Sequence, residues 1–310
     1  MIKKLLTSAL FVGSFASSAF AGEHWNVDLG GVTMKFLSMP VAARSAALSG
    51  AGVADPARAS EASRNPLAMS TIKNAEFGVS QLIFGENRAD NFVSAYYGIP
   101  FAISNYKVAA SASIDFIGYD NIEGRDEYGN LTTEYGAFAW SIQAGLGSQG
   151  EVFNWGANVR LAQQTIDDES ALAFLGDIAG SFKVNKYFAF AASLTNFGFM
   201  GDYDGEDEAE PMALQAGVSG FFPIAEKWNA HVSADAYRRA DTDAYWLFGG
   251  EVNYLKTLSF RMGYAIRPNT RNALSCGLGI AFSMIVFDYG YSPKPALQAG
   301  DHYISLGLKF

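Results

Sequence analysis

Alternation of apolar and polar residues dominates this 310-residue chain from about residue 74 to its end. The segment 301–310 shows it most clearly, with an apolar phase and a polar or small phase: Ile304, Leu306, Leu308 and Phe310 against Tyr303, Ser305, Gly307 and Lys309. Successive side chains of a strand point to opposite faces. The pattern therefore predicts strands with one apolar and one polar face, as a transmembrane β-barrel requires.

About fourteen segments carry the pattern, mostly near the roughly 9–11 residues with which a tilted strand crosses a bilayer. They are 74–84, 91–100, 106–118, 136–147, 152–164, 171–183, 187–198, 211–222, 228–238, 244–255, 257–267, 272–284, 285–292 and 301–310. The predicted connections alternate between short links and longer polar ones. The short links are 100–105, 148–151, 185–186, 223–227, 256 and 284–285, and the longer ones are 85–90, 119–135, 165–170, 199–210, 239–243, 268–271 and 293–300. Such asymmetry is typical of outer-membrane barrels.

Charged residues within these segments fall opposite the apolar phase: Asp115, Arg160, Asp177, Asp235, Glu251, Arg261, Arg267 and Asp288. A charge facing lipid at mid-bilayer would cost roughly 2–4 kcal/mol for Arg or Lys. A soluble β-sandwich would also alternate, but its solvent face would carry more charge than the Ala, Ser, Gly and Asn found here. We therefore predict an all-β, transmembrane antiparallel barrel with a polar interior.

The N-terminus has the features of a secretory signal. Lys3 and Lys4 form a positive start, residues 5–15 an apolar run, and 19–21 an A-x-A site that predicts cleavage between Ala21 and Gly22. The apolar run is too short to cross about 30 Å of hydrocarbon as a helix. Beyond it no run of roughly 18 apolar residues predicts a membrane helix.

Charge and composition narrow the function further. Loss of Lys3 and Lys4 takes the net charge from −9 to −11, which disfavours nucleic acid as a partner. The single cysteine, Cys276, excludes an intramolecular disulfide and a cysteine-based metal site. We expect no cofactor. With 14% aromatic residues and 32 glycines, the composition favours an exported β protein.

Residues 22–72 are rich in Ala, Ser and Gly and carry helical rather than alternating patterns. We predict a partly helical plug here and a barrel over 73–310. Gly50 and Gly52 permit tight turns and close packing, and Pro66 restricts Asn65 to extended geometry. Arg44 is the one charge in the Ala-rich stretch. Inside a barrel it needs an acidic partner, with Asp235, Glu251 and Asp288 as candidates; otherwise it is solvated at the periplasmic mouth.

Short motifs resemble the PorV/PorQ family of outer-membrane barrels. Residues 41–54 read VAARSAALSGAGVA, and 65–69 read NPLAM just before the first strand. FadL-type fatty-acid channels carry a related pattern in the segment that plugs their barrel. Further similar stretches are SLTNFG at 193–198 with Pro211, GEVNY at 250–254, FRMGY at 260–264 and FDYGY at 287–291. The family's usual NPAGL is altered to NPLAM, and its acidic spacer has shrunk to Asp55.

The resemblance implies a barrel of about fourteen strands with an N-terminal plug, and for some members a role in type IX secretion, where they bind exported proteins. Phe310, with apolar residues at alternate positions before it, also resembles the signal read by the outer-membrane assembly machinery. We expect a cell outer membrane location, with lipid and lipopolysaccharide as surroundings.

Polar residues of the predicted lumen phase form a mixed-charge set on neighbouring segments: His231, Asp235, Glu251, Asn253, Arg261 and Asp288. They suit a network that holds wall and plug together, or a polar track for a solute. A hydrolytic site is disfavoured. His231 and Asp235 share a face, but four residues of strand separate them by roughly 13 Å, and His24 and His302 lie elsewhere in the sequence.

The predicted loops 119–135 and 199–210 are strongly acidic. Clustered carboxylates suit hard cations or a basic partner, but the sequence DYDGE at 202–206 lacks EF-hand spacing, so a solvated loop is favoured and no metal site is assigned. The leading hypothesis is a non-enzymatic barrel that binds secretion components or exported cargo. The alternatives are a FadL-like channel for hydrophobic small molecules, with a lateral opening near Gly198, Gly201 or Gly290, and a purely structural barrel.

Overall fold

The fold is described from a computed structural model. It describes residues 31–85, 91–126, 128–202, 209–268, 273–294 and 299–310, with the side chains of residues 120 and 121 excepted. The predicted signal segment, its cleavage site and His24 lie outside these residues, as do positions 22–30 of the predicted plug and most of the acidic stretch 202–208.

Within the described residues, fourteen antiparallel strands form one closed barrel, which confirms the predicted fold class. Their bounds are Glu76–Ile83 (β1), Asn91–Ile103 (β2), Tyr106–Ile122 (β3), Tyr135–Ser148 (β4), Phe153–Ile166 (β5), Glu169–Lys183 (β6), Phe188–Met200 (β7), Ala213–Ala225 (β8), Trp228–Arg239 (β9), Tyr245–Tyr254 (β10), Leu258–Ile266 (β11), Ala273–Phe282 (β12), Ile285–Ser292 (β13) and Asp301–Lys309 (β14). Each strand pairs with its neighbours in sequence, and β1 pairs with β14, so the sheet has no free edge.

Connection lengths follow the predicted asymmetry with two differences. The link predicted at 165–170 is only Asp167 and Asp168, because β5 and β6 extend to within two residues of each other and Asp167 takes the left-handed conformation of a tight turn. The turn predicted to begin at Pro100 begins at Ser104, since Pro100 stays in the β2–β3 ladder opposite Ala109. Apart from the β5–β6 turn, the short turns lie at one end of the barrel, which we name the periplasmic end, and the long connections lie at the other end.

The outer face of the barrel is apolar. Side chains of the predicted lipid phase stand exposed on every part of the wall, among them Ile114, Phe116, Ile142, Val159, Phe260, Met262 and Leu278. Aromatic residues gather at the periplasmic end, including Tyr106, Phe153, Tyr187, Trp228 and Phe282. An apolar band with aromatic residues at its rim is the surface that a transmembrane barrel presents to lipid. Phe310 closes the last strand with its N–H donating to the Ala75 carbonyl.

Residues 32–72 fill much of the lumen as a plug. It contains one α-helix, Ala43–Ala47, and three 3₁₀ segments, Lys35–Ser38, Ala59–Glu61 and Pro66–Thr71. Within the described residues no helix has the length and apolarity to cross a membrane. The chain enters near the external end, where Val32 forms a bridge with Ala209, and leaves at the periplasmic end into β1.

Glycines of the wall make room for the plug. A Cβ on Gly263 would lie 2.2 Å from the Leu48 carbonyl carbon, and one on Gly290 would lie 2.7 Å from the Ala43 carbonyl oxygen. Only a residue without a side chain allows the plug backbone to approach the wall this closely. The plug is therefore held against β11–β13 by contact between backbones.

Candidate functional site

Arg44 joins the plug to the barrel wall. It lies on the Ala43–Ala47 helix and is 4% exposed. Its Nε donates to Glu251 Oε2 at 2.8 Å, its Nη1 to Glu61 Oε1 at 3.1 Å, and its Nη2 to Asp55 Oδ2 at 3.0 Å. Burial alone would lower the pKa of Arg44, but the charges of Glu61, Glu251 and Asp55 outweigh it and raise that pKa well above its ordinary value. Arg44 therefore remains a buried cation.

Of the three acids named as possible partners of Arg44, only Glu251 contacts it. Asp288 is occupied by Arg58 of the plug at 3.1 Å and Arg261 of the wall at 2.6 Å. Asp235 instead accepts hydrogen bonds from plug backbone. Two acids of the plug itself take the remaining places around Arg44, which sequence reasoning could not place because they depend on how the plug folds back on itself.

Two further plug arginines repeat the arrangement. Arg58 Nη1 lies 3.1 Å from Asp288 Oδ2, and Arg64 Nη1 lies 3.1 Å from Asp115 Oδ2. Asp115 and Asp288 are 1% and 3% exposed. Arg58 and Arg64 were not predicted from the sequence as partners of these acids. The sequence did contain a signal for them. An unpaired buried charge is costly, so each isolated acid of the lumen phase calls for a cation from the plug.

The predicted lumen network is present in part. Arg261 Nε donates to Glu251 Oε2 at 2.6 Å, and Asn253 Nδ2 donates to Glu251 Oε1 at 2.8 Å. His231 lies apart from Asp235, because its Nδ1 is 3.1 Å from Asp55 Oδ2 of the plug. The contact of His231 joins wall to plug, whereas the contacts of Glu251 with Arg261 and Asn253 lie within the wall.

The plug residues of the family-like motif have local structural roles. Gly50 and Gly52 adopt φ of 83° and 107°, a region that favours glycine. Gly52 N–H then donates to Asp235 Oδ2 at 2.7 Å. Asn65 is extended before Pro66, and its side chain caps the following 3₁₀ segment by accepting from the Leu67 N–H. Its Nδ2 donates to the carbonyl of residue 53 at 3.2 Å, so these residues shape the plug.

A cavity of about 860 Å³ lies between the plug and the external half of the wall. Its lining combines plug residues with residues of β5, β7–β10 and β12–β14. Polar and aromatic groups face it, among them Arg160, Thr195, Asn196, Gln215, Tyr237, Tyr245, Ser275 and Tyr303. Its size is within the range of about 300–1,000 Å³ typical of small-molecule sites.

The wall of this cavity changes at the external half of β7. The β7–β8 ladder runs from Phe188↔Gly220 to Thr195↔Ala213, and within the described residues no Cα partner joins the rest of β7 to β8. We name this place the β7–β8 seam. Thr195 and Ala213 line the cavity, so the cavity borders the wall at the point where the β7–β8 ladder ends.

A β-bulge sets the course of β7 at the seam. Asp177 of β6 faces two residues of β7, Thr195 and Asn196, and Asn196 takes φ of 57°. The Asn196 N–H donates to Asp177 Oδ1 at 2.7 Å, its Oδ1 accepts from Arg160 at 2.5 Å, and its Nδ2 donates to the Pro211 carbonyl. A bulge bends the strand that carries it, and the β7–β8 ladder ends one residue before Asn196, at Thr195.

The glycines named for an opening differ in their surroundings. Gly198 lies just beyond the bulge with φ of 158° and still pairs with Leu175 of β6. Gly290 pairs on both sides, with Gly277 and Tyr303, so the wall is continuous there and its missing side chain accommodates the plug instead. Gly201 N–H donates to the Leu172 carbonyl beyond the end of β7.

The histidines among the described residues occupy different settings. His231 contacts Asp55 of the plug, while His302 accepts or donates a 2.7 Å hydrogen bond with the Tyr289 hydroxyl on the lipid-facing side of β13 and β14. Across the described parts of the chain, no group of three or more His, Cys, Asp or Glu residues is arranged to hold a metal ion. Cys276 is exposed and unpaired.

Comparison with solved structures identifies the same architecture. The chain is similar to the Pseudomonas putida toluene transporter TodX, with 11% identity, a TM-score of 0.61, and coverage of 87% of this chain and 98% of that one. The chain is also similar to the CymD monoaromatic hydrocarbon channel, with 13% identity, a TM-score of 0.63, and coverage of 88% of this chain and 98% of that one. A Pseudomonas aeruginosa FadL homologue matches with 11% identity, a TM-score of 0.53, and coverage of 87% of this chain and 98% of that one.

No family model matches the chain, and no curated protein matches it. The structural likeness nevertheless covers nearly the whole of each of these solved chains. The chain has the fold of the FadL-like, fourteen-stranded outer-membrane β-barrels.

Proposed function

We propose that this protein is a non-enzymatic outer-membrane channel that admits small molecules with an apolar part. The observation that carries the proposal is the junction of the 860 Å³ cavity with the β7–β8 seam. The solved barrels of the same fold are titled a toluene transporter and a monoaromatic hydrocarbon channel, which supports this class of solute. The FadL-like alternative is therefore favoured over the secretion role.

The contacts of the plug favour a lateral route for the solute, through the barrel wall, over a route along the lumen to the periplasmic end. Passage to the periplasmic end would require separation of plug from wall at Arg44, Arg58 and Arg64, each of which is paired with a buried acid. Separation of a buried ion pair costs several kcal/mol. At the seam, Val32 packs with Leu214, and hydrogen bonds run from residue 33 to Ala209 and from Ser38 and Asn196 to the Pro211 carbonyl. None of these contacts is an ion pair.

Uptake by whole cells tests the channel, because an outer membrane with lipopolysaccharide limits passage of apolar solutes. A host strain producing the protein should accumulate labelled toluene faster than the strain with an empty vector. Thr195→Trp, which places a large ring in the cavity at the seam, should abolish the difference. Phe190→Trp is the matched control, since Phe190 is on the same strand and 46% exposed on the outer face. Equal uptake with and without the protein would refute the proposal.

Binding of protein partners stays a second proposal, supported by the resemblance of the plug and strand motifs to the PorV/PorQ family. In that case crosslinking and pull-down of the native protein should recover secretion components or exported cargo, and a deletion strain should show impaired secretion. Cleavage at Ala21/Gly22, insertion by the outer-membrane assembly machinery, and contact with lipopolysaccharide are further expectations, tested by N-terminal sequencing and membrane fractionation.

A further inference from the structure

A groove lies on the lipid-facing side of the wall, across β8–β11. Its volume is about 510 Å³, and the surface that lines it is almost entirely apolar. At its centre, the outward position Gly250 of β10 pairs with Val232 of β9 and Met262 of β11. Phe248 and Tyr264, which pair with each other two residues further toward the external end, border the groove on that side. The groove is therefore on the opposite face of the sheet from the 860 Å³ cavity.

The groove exists because Gly250 has no side chain and no neighbour takes its place. A Cβ on Gly250 would meet no atom within 4 Å, while the side chains of Val232 and Met262 beside it are 46% and 62% exposed. Gly220 in the same row differs, since a Cβ there would lie 2.7 Å from the Phe222 ring, which already covers it. An unfilled recess loses its dispersion contacts, so the space over Gly250 has to be filled from the membrane.

The position of Gly250 along its strand determines which leaflet fills the groove. Gly250 is four residues from Tyr254, where β10 ends at a periplasmic turn. Four residues of strand span roughly 13 Å, and strand tilt makes the depth below the membrane surface smaller than that. The hydrocarbon of one leaflet is about 15 Å deep, half of the bilayer core. An acyl chain of the periplasmic leaflet therefore reaches the groove.

Exposed lysines lie at the periplasmic end of the same strands. The β8–β9 turn carries Lys227, the β10–β11 turn carries Lys256, and the adjacent β6–β7 turn carries Lys186, with Glu226 as the one acid in these three turns. Within the described residues, none of the three lysines forms an ion pair. The other three periplasmic turns, at 104–105, 149–152 and 283–284, contain no lysine or arginine. Positive charge of the turns is thus gathered on the side of the groove.

Two aromatic side chains lie between these lysines and the groove. Trp228 and Tyr254 pair across β9 and β10 with their ring centroids 4.7 Å apart, and they share the outward phase of Val232 and Gly250. Tryptophan and tyrosine at a membrane–water interface lie at the depth of the lipid headgroups. Their N–H and O–H groups can donate hydrogen bonds there while the rings stay in apolar surroundings. The order from turn to groove is therefore cation, aromatic ring and apolar recess.

We propose that this wall carries a binding site for one anionic phospholipid of the periplasmic leaflet. The phosphate lies at Lys227 and Lys256, the glycerol esters lie beside Trp228 and Tyr254, and one acyl chain fills the groove over Gly250. A zwitterionic phospholipid gains less at this site, because its own amine already balances the phosphate. Lipid of the outer leaflet is disfavoured, since its headgroup would lie at the other end of the barrel. The site is distinct from the proposed channel.

Native mass spectrometry of the protein extracted from membranes in detergent tests the site. The protein is titrated with phosphatidylglycerol and, separately, with phosphatidylethanolamine of the same acyl chains, and the fraction that retains one lipid is measured. Phosphatidylglycerol should bind as a single molecule and with the higher affinity. Lys227→Gln and Lys256→Gln should each weaken its binding about fivefold, the effect expected of one lysine beside an anionic lipid. Binding of phosphatidylethanolamine should stay nearly unchanged in both variants.

Variants of the groove test the place of the acyl chain. Gly250→Phe fills the groove and should weaken binding of both lipids, because they share their acyl chains, and the smaller Gly250→Leu should do so to a lesser extent. Ala144→Phe is the matched control, since Ala144 is exposed on the outer face of β4 and also lies four residues from the periplasmic end of its strand. Lys107→Gln, at an exposed lysine near the periplasmic end of β3, should change neither affinity. Heat-modifiable migration on gels reports that each variant is folded.

Three results would overturn the inference. Equal affinity of the parent protein for the two lipids would show that the lysines do not select a headgroup. Unchanged binding of phosphatidylglycerol in Gly250→Phe would show that the acyl chain lies elsewhere on the wall. A dimer of the parent that is absent in Gly250→Phe would make the groove a contact between two copies of the chain instead of a lipid site. None of these results depends on uptake of toluene, so the channel proposal is tested separately.

Discussion

Arg44 and Glu251 form an ion pair between plug and barrel wall, with 2.8 Å between Nε and Oε2 and with both side chains less than 10% exposed. Arg261 shares the same Oε2 at 2.6 Å. One carboxylate of the wall thus neutralises a cation of the plug and a cation of its own sheet. Position of the plug and stability of the barrel are coupled through this oxygen.

Arg44→Leu should therefore destabilise the protein more than loss of one surface charge. It would leave the buried Glu61 without its cation and Glu251 with Arg261 alone, at a cost of about 3–5 kcal/mol. Urea titration of the protein in lipid vesicles measures the free energy of unfolding, and limited proteolysis reports release of the plug. Arg125→Leu, in an exposed pair, should change that free energy by less than about 0.5 kcal/mol.

Close approach of backbones gives a second prediction. Gly263→Ala places a Cβ 2.2 Å from the Leu48 carbonyl carbon and 2.4 Å from the Ser49 nitrogen, so the plug must move. We expect a loss of about 1–3 kcal/mol in the free energy of unfolding and faster hydrogen exchange at residues 46–50. Gly250→Ala is the matched control on the neighbouring strand, because a Cβ there meets no atom within 4 Å. Equal effects of both variants would contradict backbone contact as the cause.

The barrel could be predicted from sequence because one physical constraint acts on every strand. Lipid outside and polar groups inside impose an alternation with a period of two residues. The face on which a residue such as Arg160 or Leu278 lies can therefore be predicted from its neighbours in the sequence. Strand ends were less well determined. The β5–β6 link shrank to Asp167 and Asp168, since the chain beyond the membrane is not under the same constraint and polar residues there can continue a ladder.

The plug and the cavity could be predicted only in part. The sequence predicts that Arg44 needs an acidic partner, and Glu251 is one of the predicted candidates. Which lumen acid pairs with Arg44 depends on the three-dimensional path of the plug. Asp55 and Glu61 became partners through that path alone. The bulge at Asn196 could not be predicted from the alternation of apolar and polar residues. The one extra residue shifts this alternation only in the few residues of β7 that follow it, which are too few to show a new pattern.

Asn196 gives a third prediction, on the seam. Asn196→Ala removes the acceptor for Arg160 and the donor to Pro211, and it keeps a φ of 57° that Ala tolerates poorly. We expect a loss of about 2–3 kcal/mol in the free energy of unfolding, and faster hydrogen exchange at residues 195–198.

Asn196→Gly separates the two causes, since it relieves the backbone but still lacks the side chain. It should recover about 1 kcal/mol of the loss. Asn185→Ala at the other end of the same strand removes a turn contact to the Phe188 N–H, and its effect on exchange should stay at that turn. A seam that exchanges no faster in Asn196→Ala would show that side-chain contacts do not hold the bulge.

The lipid-facing wall gives the last prediction. Leu278 lies near the middle of β12 and is 50% exposed on the apolar face, opposite Phe260 and Tyr289 on the adjacent strands. Leu278→Arg should lower the free energy of unfolding in lipid vesicles by about 2–4 kcal/mol, because the guanidinium must enter the hydrocarbon. Leu131→Arg, at a 65% exposed position in the external β3–β4 connection, should leave it nearly unchanged. A Leu278→Arg protein as stable as the parent would mean that this face does not lie against lipid.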